Sequence, residues 1–237
     1  MIFDMWYWVV IGAGLLLSLG ASARVKGAFT RYGRVLSRSG LTGADVARRI
    51  LRDHGISDVR VEPVRGSLTD HYDPRSKTLR LSEPVYHQGS IAAVGVAAHE
   101  VGHAIQHARG YAPLAFRSAW VPVANLGGGI SMMLLIVAAI LGGAATAAGG
   151  TVAIIGVGLF ATTTVFTLVT LPVEFDASRR ALATLQQGGY LASDELAGAR
   201  KVLDAAALTY VAAFITSLLQ LVYWAWALGL LGRGHDE

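Results

Sequence analysis

The 237-residue sequence contains no cysteine, and Asp, Glu, Lys and Arg together make up only 15% of it. The first absence excludes disulfide bridges and thiolate metal sites, so any metal bound here rests on imidazoles and carboxylates. The second departs from an ordinary soluble surface, since charged residues are about a quarter of a typical soluble chain. Charge is also missing in blocks. There is none from 5 to 23, none in the 56 residues between Arg117 and Glu174, and none from 205 to 232.

What fills those blocks is apolar: hydrophobic residues are 53% of the chain and the mean hydropathy is +0.48. A membrane span takes about 20 such residues, so the first and last blocks hold one helix each and the middle block holds two. The run from Gly142 to Gly150 is the expected turn between that pair. Pro172 is expected to close the third span, and Trp6, Trp8, Trp224 and Trp226 to sit at the membrane interfaces. The organisation that follows is span 1 at 1–23, a polar unit at 24–117, spans 2 and 3 at 118–173, a helical segment at 174–204, and span 4 with a short tail at 205–237.

Net charge is +4 and the pI about 9.6. Of 20 Lys and Arg, 15 lie from Arg24 to Arg117 and four from Arg179 to Lys201. Four spans put both segments on one side, and the positive-inside rule makes that side cytoplasmic. The basic balance is thus an orientation signal with affinity for anionic headgroups. Aromatic and basic residues are not interleaved, which argues against a nucleic-acid partner. Ala21-Ser22-Ala23 resembles a signal-peptide cleavage site, but Asp4 before the apolar run and Arg24 and Lys26 after it reverse the charge order of a signal peptide. The first helix is therefore expected to be retained.

The polar unit changes period along its length. Thr42-Gly43-Ala44-Asp45 resembles a capping box, followed by Val46, Ile50 and Leu51 at helical spacing until Gly55. Val59 and Val61, and later Leu79 and Leu81, alternate with polar residues as strands do. Asp73-Pro74 between them predicts a hairpin from 68–72 to 77–82. Ser90 then caps a helix of about five turns that ends before Gly110. Beyond the spans, 174–185 reads as helix, Gly188-Gly189 as a break, and Ser193-Asp194-Glu195 as a restart.

The chemistry lies in His99-Glu100-Val101-Gly102-His103. Residues four apart share a helix face about 6 Å apart, so both imidazoles reach one ion while Glu100 stands beside an open position as general base. Two solvated histidines on a surface helix are the bland reading. Catalytic zinc usually takes three protein ligands. His107 continues the row but lies about 12 Å from His99 along the axis, too far to share the ion. Glu174 is the expected third ligand, with Asp176 in reserve; a favourable charge at a helix N-terminus is its bland reading. His71, Tyr72, His87, His107 and Arg180 are conceivable donors to a developing oxyanion, but cross-strand packing for Tyr72, a solvated loop for His87, a headgroup or Asp176 partner for Arg180 and an exposed place near the cleft for His107 are the better readings. A zinc motif flanked by Gln106, His107 and Arg109 belongs at the membrane surface, which places an intramembrane protease behind a surface one.

Over most of its length the chain resembles the neutral zinc metallopeptidases of bacterial membranes, the YugP-like group. The resemblance is carried by 41–44, Asp70-His71-Tyr72-Asp73-Pro74, Leu79-Arg80-Leu81-Ser82, 98–107 and Glu174-Phe175-Asp176-Ala177-Ser178-Arg179-Arg180-Ala181. It implies a multi-pass protein of the bacterial cytoplasmic membrane, mainly α, with four transmembrane helices and a small α+β zincin-like cytoplasmic unit. It implies Zn2+ as cofactor, Glu100 as catalytic base, His99, His103 and Glu174 as ligands, and the lipid bilayer and a peptide or membrane-protein substrate as partners. A membrane-protein regulator or a second copy of the chain stays open. A catalytically silent scaffold of the same fold is the alternative. Related gluzincin membrane peptidases carry an Asp four residues after the ligand Glu, where this chain has Ser178.

Overall fold

The computed structural model describes residues 4–231. Residues 1–3 and 232–237, with the short tail expected after span 4, lie outside the described residues. Seven α-helices and three strands follow in order: α1 Met5–Gly33, α2 Gly43–Asp53, β1 Arg60–Val64, β2 His71–Asp73, β3 Thr78–Ser82, α3 Glu83–His87, α4 Ile91–Ala108, α5 Ala112–Ile140, α6 Ala147–Gln187 and α7 Ser193–Ala227. Four of them, α1, α5, α6 and α7, are long and apolar enough to cross a membrane. The chain divides into two compact units, and α1, α5, α6 and α7 contribute residues to both.

The first unit comprises the described parts of Met1–Gly20, Phe116–Thr170 and Tyr210–Glu237. Its core is Leu135, Ala138, Ala153, Phe160, Tyr223, Trp224 and Leu228. Lipid gives apolar helices no reason to associate, so close backbone approach does that work. At Gly127 a Cβ would lie 2.8 Å from the Leu159 carbonyl oxygen, which only glycine permits without a shift. Trp120 Nε1 donates to the Thr162 carbonyl at 3.0 Å in the same α5–α6 pair. Trp224 does not present the exposed ring of an interface anchor. It is 2% exposed within the core, packed edge-on to Tyr223, whereas Trp6, Trp8 and Trp226 are exposed. The Gly142–Gly150 turn is shorter than the glycine run, because Thr146 Oγ1 accepts from Gly149 N and starts α6 early.

The second unit is Ala21–Ala115 with Leu171–Thr209. Thr42 and Asp45 form the capping box that starts α2, and Ser90 Oγ accepts from Ala93 N to start α4. The hairpin is present, trimmed to His71–Asp73 against Thr78–Ser82 in antiparallel register with Tyr72 opposite Leu79. Asp73 accepts from Arg75 N and Ser76 Oγ, and these bonds hold the turn. β1 pairs parallel with β3, giving the order β1-β3-β2. The central strand β3 buries Thr78, Leu79, Leu81 and Ser82 completely, as a strand flanked on both sides should. Val46, Ile50, Leu79, Leu81, Val94, Val101 and Leu185 make the shared core.

Pro172 does not end a helix. It lies inside α6, which runs on to Gln187. A proline inside a helix removes one hydrogen bond and costs about 3 kcal/mol. The next turn buries Val173, Glu174, Asp176 and Ala177, and that packing outweighs the local penalty.

Candidate metal centre

His99 and His103 project from one face of α4, with ring centroids 4.8 Å apart and planes at 85°. Glu174 enters from α6. Its Oε2 is 3.3 Å from His99 Nε2 and 3.6 Å from His103 Nε2. Among the described residues, one ligand atom from each of the three lies within 4.8 Å of the others. Zinc ligands about 2.0–2.2 Å from a tetrahedral ion stand roughly 3.3–3.6 Å from one another. Both separations have that size, and both are longer than the about 2.7–2.9 Å of a direct charge-assisted hydrogen bond. Two imidazoles and a carboxylate are the donor set of a catalytic zinc site with a fourth position left open. These residues therefore fit zinc.

Close approach of the two helices makes the triangle. Gly102 lies against Ala177, and a Cβ there would sit 2.6 Å from the Ala177 carbonyl oxygen. The glycine inside the motif is thus what lets α6 bring Glu174 down onto α4.

The face of each imidazole turned away from Glu174 is also occupied. His99 Nδ1 is 3.1 Å from Oγ of Ser178, the residue four positions after Glu174. His103 Nδ1 is 3.0 Å from Gln106 Oε1. Gln106 Nε2 in turn donates to the Val173 carbonyl at 2.8 Å and to Asp176 Oδ2 at 2.9 Å. Asp176 accepts from Arg179 Nη2 at 2.8 Å and from Arg180 Nε at 2.5 Å. Arg180 also lies over the Tyr111 ring, 5.7 Å from its centroid. Asp176 therefore meets the amide behind His103 and is absent from the metal triangle.

Glu100 is 8% exposed. Burial pushes its carboxyl above the ordinary carboxylate range; the positive character of His99 and His103 pulls the other way, while Glu174 and Asp70 add to the rise. Burial pushes His103 down, and the carboxylates of Glu174 and Glu100 with Gln106 outweigh it, leaving its pKa raised. A buried base flanked by groups that shift it is a usual mark of a functional site.

The remaining candidates scatter. Tyr72 Oη and His107 Nδ1 are 2.8 Å apart, joining β2 to α4 one turn beyond His103. Burial, with Asp58 and Asp73 nearby, pushes the Tyr72 hydroxyl up to about 12. His71 is exposed, with its ring nitrogens toward the Thr69 carbonyl and Arg80. His87 is exposed at the end of α3, packed on Tyr86. Gln106 was not singled out from the sequence, although its spacing of three from His103 puts it on a neighbouring stripe of the same helix.

An His-Glu-x-x-His helix facing a glutamate from a second helix is the donor arrangement of a zinc-dependent hydrolase, here on a chain with four helices suited to cross a membrane. Residues 7–229 match the model of the family described as "Putative neutral zinc metallopeptidase", and the chain belongs to that family. It is also similar to "Putative membrane protease YugP" of Bacillus subtilis (strain 168), with 48% identity over 227 residues that cover 95% of this chain and 96% of that relative. No solved structure matches. Zinc is the metal that both the family and the three side chains call for.

Proposed function

We propose that this protein is a zinc endopeptidase of the gluzincin type that cleaves peptide bonds at the cytoplasmic surface of the bacterial inner membrane. The observation that carries the reading is the spacing of Glu174 Oε2 at 3.3 and 3.6 Å from the two Nε2 atoms, with Glu100 buried on the same helix. His99, His103 and Glu174 would hold the zinc ion, which would supply Lewis acidity and acidify water at the site. Glu100, buried beside the two histidines, is the group that would accept a proton from the attacking water and return it to the leaving amine. The Tyr72 hydroxyl, still protonated at working pH, stands with His107 one turn further along α4 and is the donor offered to the developing oxyanion.

The strand order leaves β2 with one unpaired edge, to which an extended segment of a peptide or membrane protein can add main-chain hydrogen bonds. The cytoplasmic placement rests on the basic residues of 24–117 and 174–204. The motif helix α4 is not among the four candidate spans, which favours a surface protease over an intramembrane one. The test is metal content and turnover on the purified full-length protein. About one zinc per chain, with cleavage of an unstructured peptide that chelation abolishes and zinc restores, is the expected outcome. Full zinc occupancy with no cleavage of any peptide or membrane-protein substrate would favour a silent scaffold.

A further inference from the structure

The two ligand histidines have unlike partners. At His103 every atom of the partner is chemically fixed. Gln106 is completely buried, and one end of its amide lies 2.8 Å from the Val173 carbonyl and 2.9 Å from Asp176 Oδ2. A carbonyl oxygen only accepts, and so does a carboxylate held ionised by Arg179 and Arg180. That end of the amide must therefore be the NH2 group, with both of its hydrogens used. The other end, Oε1, can only accept, and it faces His103 Nδ1 at 3.0 Å. A lone pair on Nδ1 would set two buried acceptors against each other, which is costly away from water. Nδ1 must carry a proton, which leaves Nε2, 3.6 Å from Glu174 Oε2, as the nitrogen turned to the metal triangle.

His99 has no such constraint. Ser178 Oγ, 3.1 Å from its Nδ1, can donate or accept, so it is compatible with either tautomer. We propose that Gln106 is a positioning residue that locks His103 in the Nδ1–H tautomer, and that Asp176, clamped by Arg179 and Arg180, fixes which way the Gln106 amide points. This inference rests on the zinc-site reading above and adds an ordered chain of polarity behind one ligand: arginines to Asp176, Gln106 to Asp176, and His103 to Gln106. It also gives Asp176, Arg179 and Arg180 a task that involves neither metal nor substrate contact. Partners of this kind typically change metal affinity by about 10–100-fold when removed.

The experiment has two readouts besides activity. The first needs no variant. In metal-free full-length protein carrying 15N-labelled histidine, nitrogen shifts report which ring nitrogens carry protons. His103 Nδ1 is expected to be protonated whether or not Nε2 is, and finding a ring protonated at Nε2 alone overturns the proposal. The second is zinc affinity by chelator competition. Gln106→Met is expected to weaken zinc by about 10-fold or more. Gln106→Glu sets a second carboxylate beside Asp176 and is expected to weaken zinc as well. Gln106→Met fills much the same space without the acceptor at His103, so its loss of affinity separates orientation from mere filling of space. Unchanged affinity in a folded Gln106→Met also overturns the proposal. If a metal-free protein shows the expected tautomer but no variant binds or cleaves differently from a zinc-free parent, it is the zinc-site reading that fails.

Discussion

Gly102 and Ala177 touch backbone to backbone: a Cβ on Gly102 would lie 2.6 Å from the Ala177 carbonyl oxygen and 3.1 Å from its Cα. Since Ala177 is one turn past Glu174 on α6, this contact sets the depth at which the carboxylate meets the two imidazoles. Gly102→Ala should cost about 1–3 kcal/mol as overpacking against backbone that cannot move aside easily. It should also weaken zinc binding. Gly27→Ala is the control, because a Cβ there meets nothing within 4 Å, and alanine is favoured over glycine in a helix by about 0.5–1 kcal/mol. Thermal unfolding and zinc competition on both variants check the pair; tight zinc binding by Gly102→Ala would remove the contact from the account of the site.

That contact also marks where sequence reasoning reaches its limit. The motif spacing, the capping residues Thr42 and Ser90, the hairpin at Asp73-Pro74 and the four apolar helices are all local signals, and each is where the residues point. Glu174 was reached by a chemical need, the third donor, and the structure brings it to the two histidines. Pro172 misled because a local breaker was outweighed by burial of the turn that follows it. Trp224 misled because its helix position says nothing about whether the ring faces inward. Gln106 was silent because it is fixed by Asp176, 70 positions away, and meets His103 only in one rotamer, which leaves no periodic trace. Ser178 stood out as the residue four after Glu174, but its approach to His99, 79 positions away, did not.

The role of Glu100 separates binding from chemistry. Glu100→Gln leaves all three ligands and should keep about one zinc per chain, while hydrolysis falls by the roughly 10²–10⁴-fold that a positioned general base contributes. Metal analysis and single-substrate turnover on the same preparation check it, and stoichiometric zinc with undiminished turnover would contradict the assignment.

Orientation is open to a direct test because the chain has no cysteine to interfere. Ser76 is exposed in the hairpin turn of the second unit. With the basic segments in the cytoplasm, Ser76→Cys should resist a membrane-impermeant thiol reagent in intact cells and react once the membrane is permeabilised. Labelling from outside intact cells would reverse the topology and with it the cytoplasmic placement of the site.

The last prediction concerns the ligand that the motif does not name. If Glu174 holds the ion, zinc joins α6 to α4 across the 70 residues between His103 and Glu174, and binding to the folded state alone raises thermal stability by mass action. Glu174→Ala leaves two imidazoles and should lose both the affinity and the zinc-dependent rise in unfolding temperature. Asp176→Ala removes the acceptor behind Gln106 without touching the triangle, so its loss should fall in the range of about 10–100-fold typical of such partners. His107→Ala breaks the bond to Tyr72, 2.8 Å long and a full turn beyond His103, and should leave zinc affinity nearly unchanged while slowing turnover. Measured side by side by chelator competition, the three variants should rank Glu174, then Asp176, then His107 in severity. A near-normal Glu174→Ala beside a zinc-free Asp176→Ala would exchange their roles, and it would mean that the carboxylate now clamped by Arg179 and Arg180 swings in to the metal.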